Sequence, residues 1–173
     1  MKKLLTTLSI TTLVLAASAI PASAGIISYT VILNGLQSVP GNASTATGSA
    51  IVTVDDVANT VFVSLTYSGL TGGNAGAAHI HCCSSVLSTA PVVIPFTGFP
   101  ASSSGTYTNT FTNVSAANIA GIEAGLAYIN IHNTVFPAGE IRGDITPEPA
   151  TLSLMGLGLL AVAGAASRRR RSL

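Results

Sequence analysis

Three histidines hold most of the chemistry available to this chain. His79 and His81 are two residues apart, His132 lies far downstream, and the 173 residues contain no other histidine. A neutral imidazole presents a nitrogen lone pair near pH 7, and imidazole donors suit copper and zinc. Alternate side chains of a β-strand point to one face, so His79-Ile80-His81 on a strand aims two imidazoles at the same space. His132 ends a second apolar segment and could supply a third ligand. One expectation is therefore a copper or zinc site built from His79, His81 and His132. The other is structural, with no cofactor: the imidazoles hydrogen-bond to backbone and to Glu140 or Asn130 at the mouth of a β-domain.

Other reactive residues are few. Cys82 and Cys83 are adjacent and are the chain's only cysteines. Adjacent cysteines rarely close on each other, because the small ring strains the peptide between them. The expectation is an intermolecular disulfide through Cys82 or Cys83, the alternatives being an extra ligand beside His81 or two inert thiols. Glu140 and Arg142 are two apart and read as a local ion pair or a link to a neighbouring strand, with Asp144 or a carbonyl as other partners for Arg142. Asp55-Asp56 reads as a turn. No G-x-S-x-G, phosphate loop or H-E-x-x-H occurs, so nucleophile, nucleotide and zinc-protease signatures are absent. The chain reads as a non-enzyme, with a metal-dependent redox activity as the remote alternative.

Two terminal segments flank the part that must fold. Lys2-Lys3, the apolar stretch Leu4 to Ala19 and Ala22-Ser23-Ala24 after Pro21 form a secretory signal peptide over 1–24, cut after Ala24. At the other end Pro147-Glu148-Pro149 precedes an uncharged apolar run from Ala150 to Ala166, then Arg168-Arg169-Arg170-Arg171. About 17 apolar residues reach the lower limit for a membrane span, and the arginines keep their end cytoplasmic. Residues 25–146 are left as one domain in an oxidising compartment. The net charge of +1 is misleading, since six of the seven basic residues lie in the two ends. The domain retains Arg142 against Asp55, Asp56, Glu123, Glu140 and Asp144. A nucleic-acid partner needs clustered cations, so that class is excluded.

The elements that must position the histidines are strands. Ile26–Leu33, Ser49–Val54, Val61–Tyr67, Ala77–His81, Val92–Phe96, Thr106–Thr112, Leu126–His132 and Glu140–Ile145 are short, β-rich and separated by Gly, Pro, Asn and Asp. Ser49–Val54 and Val61–Tyr67 should pair as a hairpin. Ser115 can cap one short helix reaching Ala124. Seven or eight such strands predict an all-β antiparallel sandwich or barrel, superoxide-dismutase-like or immunoglobulin-like in architecture.

Three resemblances extend this reading. The Pro-Glu-Pro, apolar run and arginine block over 147–173 resemble the PEP-CTERM sorting signal of Gram-negative bacteria that make exopolysaccharide. That resemblance implies inner-membrane insertion through 150–166, cutting near Pro147-Glu148-Pro149 by an exosortase, and transfer outward. The blocks Leu33 to Pro40, Ala77 to His81 with Pro91-Val92-Val93, and Tyr128 to His132 with Pro137 to Gly143 look like the CHRD domain, named for chordin. It implies an all-β fold and a binding or scaffolding role, with signal peptidase and exosortase as transient partners and a matrix polysaccharide or protein as the unnamed final one. Gly69-Leu70, His79-Ile80-His81 and His132 also resemble the copper-site layout of copper/zinc superoxide dismutase. The chain lacks a bridging histidine, a zinc-loop cluster and a secure counterpart of the active-site arginine, so dismutase catalysis is not implied. The expectation is a surface or extracellular-matrix component that binds or scaffolds, or alternatively a periplasmic or surface metal binder.

Overall fold

The computed structural model describes residues 25–147 and, apart from them, Gly158. The signal peptide with Ala22 and Ala24, the span 150–166, Glu148 and Pro149 of the triplet, and Arg168 to Arg171 lie outside the described residues.

Eight strands form one antiparallel sheet. They are β1 (Ile26–Asn34), β2 (Thr47–Asp55), β3 (Thr60–Ser68), β4 (Ala77–Cys82), β5 (Val92–Pro95), β6 (Gly105–Phe111), β7 (Ala127–His132) and β8 (Ile141–Ile145). Their spatial order is β5-β4-β7-β8-β1-β2-β3-β6. Between the strands lie a helix, α1 (Ala116–Glu123), just before β7, and a 3-10 turn over Gly35–Gln37. Ser115 caps α1 by accepting a hydrogen bond from Asn118 N, as its position predicts.

Alternation explains most of the sheet. Val61, Val63, Leu65 and Tyr67 point inward from β3, while Ser64 and Thr66 face solvent. Val52 and Val54 of β2 and Val31 and Leu33 of β1 join the same core. The predicted hairpin forms in full register, with Val52 opposite Val63 and Val54 opposite Val61. The sheet curls until its two edges approach. Phe96, just after β5, stacks on Tyr107 and Phe111 of β6 with ring centroids 5.0 and 5.7 Å apart. A cavity of about 380 Å³ lies at this seam, lined by Ile94, Phe111 and Asn118 among others. The expected sandwich or barrel is thus one sheet, nearly closed into a barrel.

Strand β7 departs from simple alternation. Ala127, Ile129 and Ile131 enter the core, yet Tyr128 and Asn130 on the opposite face are buried too. The segments 83–91 and 133–140 lie over that outer face. Ala90 N donates to Tyr128 Oη, and Asn130 Nδ2 donates to Ala138 O. This covered patch of β4, β7 and β8 is where the histidines sit.

Candidate metal centre

Strand pairing brings the three histidines together. On β4, Ala77, His79 and His81 face outward, while Ala78, Ile80 and Cys82 are buried. β4 and β7 pair antiparallel, with Ala77 opposite His132, His79 opposite Asn130 and His81 opposite Tyr128. His132 therefore lies diagonal to His79 on the same face, within reach across a sheet. The His79 and His132 ring centroids are 5.2 Å apart, and those of His79 and His81 are 5.7 Å apart. One nitrogen from each of the three rings lies within 4.8 Å of the other two.

Backbone carbonyls orient two of the rings. His81 Nδ1 is 2.8 Å from Ala90 O, and His132 Nδ1 is 2.9 Å from Pro137 O. A carbonyl only accepts, so each Nδ1 carries the proton and each Nε2 keeps its lone pair. His81 Nε2, His132 Nε2 and His79 Nδ1 are all buried and have no hydrogen-bond partner. An unpaired buried polar atom is costly and calls for an explanation. Burial lowers the pKa of all three imidazoles. The neighbouring imidazoles lower His79 further, and His132 and Arg142 lower His81, against the opposing pull of the Ala90 carbonyl. The Pro137 carbonyl likewise opposes the lowering of His132. The group is thus held neutral, with free nitrogens converging, which is the state that coordinates a metal.

The surroundings are aromatic and backbone-rich. The His81 ring stacks on Tyr128 at 4.6 Å between centroids, and the Arg142 guanidinium carbon sits 3.5 Å from the Tyr128 ring centre. Arg142 donates to Asp144 Oδ1 through Nε at 2.9 Å and Nη2 at 2.7 Å, and through Nη1 to Ser88 O at 2.8 Å. Among the partners open to Arg142 in the sequence, the structure selects Asp144 and a carbonyl.

Glu140 has a separate task, and the expected local pair with Arg142 is not formed. It precedes β8 and is fully buried. Its carboxylate accepts from Ser44 Oγ at 2.5 Å, Thr71 N at 2.6 Å, Thr71 Oγ1 at 2.7 Å and Gly72 N at 3.2 Å, and from Asn133 Nδ2. Burial alone would raise its pKa, but the bonds from Ser44, Thr71 and Gly72 outweigh it and hold the pKa low. Glu140 ties three loops together and does not touch the histidines. Nor does Asn130, whose amide donates to Ala138. Of the structural partners foreseen for the imidazoles, only backbone serves.

The cysteine expectation needs correction. Cys82 and Cys83 are bonded to each other and are not free for an intermolecular link. The peptide between them is cis and their Cα atoms are 3.1 Å apart, which turns the two Sγ atoms toward one another. The pair sits where β4 gives way to the segment 83–91, packed against Gly121 of α1, where a Cβ would collide with both sulfurs. That glycine was the available signal: an interior helical glycine costs about 1 kcal/mol relative to alanine and marks a close approach.

Residues 29–145 match the CHRD domain, so the chain belongs to the CHRD domain family. Residues 146–171 match the PEP-CTERM protein-sorting motif, which implies recognition by an exosortase and export through membrane-associated processing in a Gram-negative bacterium. No curated protein and no solved structure matches the chain.

Proposed function

We propose that this chain is an exported, non-enzymatic surface protein whose CHRD domain captures copper or zinc with His79, His81 and His132. One observation supports the reading most: main-chain carbonyls hold His81 and His132 so that each keeps a buried, unpartnered Nε2, and one nitrogen from each of the three rings lies within 4.8 Å of the other two. Both metals accept imidazole ligands, and hydrogen-bonded ring N–H groups are the usual second layer around such ligands. Metal analysis of protein exported from cells supplied with copper and zinc tests this directly. About one ion per chain is expected, with loss of stoichiometric binding in His79→Ala. Full binding by a triple His79/His81/His132 alanine variant would overturn it.

A second reading is a scaffold or adhesive role in an extracellular matrix. The outer face of β1-β2-β3-β6 supports it, with cross-strand rows such as Thr30–Ile51–Ser64–Thr108 and Ile32–Ser49–Thr66–Thr106. These rows carry no charge and fit a neutral, hydroxyl-rich partner better than a charged one. Co-sedimentation with the producing strain's neutral polysaccharide tests it. Unchanged binding after Ser64→Asp and Thr108→Asp would remove this face from consideration.

A further inference from the structure

The donor set also bears on which ion is held, and this step rests on the metal reading above. We propose that the trio is a site for monovalent copper, bound by three imidazoles and nothing else from the chain. Zinc takes four ligands, and where a protein supplies three, the fourth is a water or substrate in an open position. Cupric copper favours a tetragonal set of nitrogen and oxygen ligands. Cuprous copper has a filled d shell and accepts three ligands in a plane. Among the described residues no fourth histidine, cysteine, aspartate or glutamate joins the group. The two cysteines are consumed by their mutual disulfide. The unpartnered nitrogens, His79 Nδ1, His81 Nε2 and His132 Nε2, are all closed to solvent, so a site built from them is poorly placed to keep a coordinated water.

Charge points the same way. Three neutral imidazoles leave the ion's charge uncompensated, and desolvating a charge costs more as that charge rises. The nearby carboxylates are committed elsewhere: Asp144 is paired with Arg142, and Glu140 holds Ser44, Thr71, Gly72 and Asn133. The one cation of the domain, Arg142, lies over the same Tyr128 ring on which His81 stacks. Across the sheet His79 faces Pro95, and His81 faces Val92 and Tyr128. Among the described residues this neighbourhood offers no uncommitted carboxylate to offset a divalent ion, and it tolerates a monovalent one better.

The test uses the full chain purified in detergent and kept without oxygen, with ascorbate, which leaves disulfides intact, added to the cuprous titration alone. Cuprous copper, cupric copper and zinc are each titrated against a competing chelator of known affinity, and X-ray absorption gives the coordination number. The expected result is one cuprous ion per chain, held about a hundredfold more tightly than zinc, with three nitrogen neighbours. Silver(I), a filled-shell monovalent substitute titrated without ascorbate, should bind in the same place. Tighter binding of zinc or cupric copper, or a fourth ligand on the cuprous ion, overturns this assignment and leaves the metal reading standing. Binding of none of these ions above the triple alanine variant overturns both. The competition and the absorption spectrum are read on the unaltered protein, so neither depends on a variant that folds.

Discussion

Glu140 shows how one residue can serve stability while standing beside a candidate site. Its carboxylate receives hydrogen bonds from Ser44, Thr71, Gly72 and Asn133, and all of these donors lose their partner if it is removed. Glu140→Ala should cost about 3 kcal/mol of folding stability, measured by denaturant unfolding. Its pKa is lowered in the folded state, so its contribution is complete above the ordinary glutamate value of about 4.3 and is lost as pH falls below it. The histidines act at higher pH. Their folded pKa values are lowered, so the unfolded chain takes up protons first as acid is added. Stability of the metal-free protein should therefore decline as pH drops below about 6.5. Denaturant midpoints between neutral pH and pH 5 check this, and substituting glutamine at His79, His81 and His132 should flatten that limb. At this scale the candidate site was largely legible. His79 and His81 announce a shared face by their spacing, and Tyr128, Asn130 and His132 repeat the same period on the partner strand. The carbonyls of Ala90 and Pro137 were not legible, because no side-chain pattern encodes which backbone group will meet a ring.

Among the elements, strands β1 to β3 follow from alternation alone, since one face is buried and the other wet. Strand β7 reads as a nearly continuous apolar segment because the segments 83–91 and 133–140 cover its second face. That covering depends on contacts distant in sequence. The place of Glu140 was misjudged for a related reason: it belongs to the turn before β8, where loop donors from three directions outweigh pairing with Arg142. Helix α1 was legible from Ser115, but its role was not. It presents Gly121 to the Cys82–Cys83 disulfide, so Gly121→Ala should destabilise the domain by about 1–3 kcal/mol through overpacking, despite alanine's better helix propensity. Thermal unfolding of the single variant decides this, and a gain in melting temperature would show that the sulfurs have room to yield.

For the whole molecule, the two ends and the middle obey different rules. The Pro147-Glu148-Pro149 triplet falls within the PEP-CTERM protein-sorting motif, which implies recognition by an exosortase during export. Replacing all three with alanine should leave unprocessed chain in the inner membrane, visible as a larger band in that fraction. Equal release of the altered chain would count against the sorting role. The fold class was legible because eight short strands punctuated by turn residues leave few alternatives. Closure of a single sheet, in place of two packed sheets, was not, because it depends on Phe96, Tyr107 and Phe111 meeting across the seam.

The register of β7 also separates the histidines from the point where the chain leaves the barrel. Ala127 pairs with Ile145, and Pro147 lies against Gly125, so this end of the barrel adjoins the exit of the chain. If the span begins at Ala150, the intervening Thr146 to Pro149 can stretch at most about 14 Å. With such a span inserted, so short a leash would hold the Ala127 end near the bilayer. His132 stands at the opposite end of β7, about 17 Å further out at the usual strand rise. On that premise the imidazoles would stand at the end of β7 remote from the tether, and the site would be open to an ion from outside before the chain is cut.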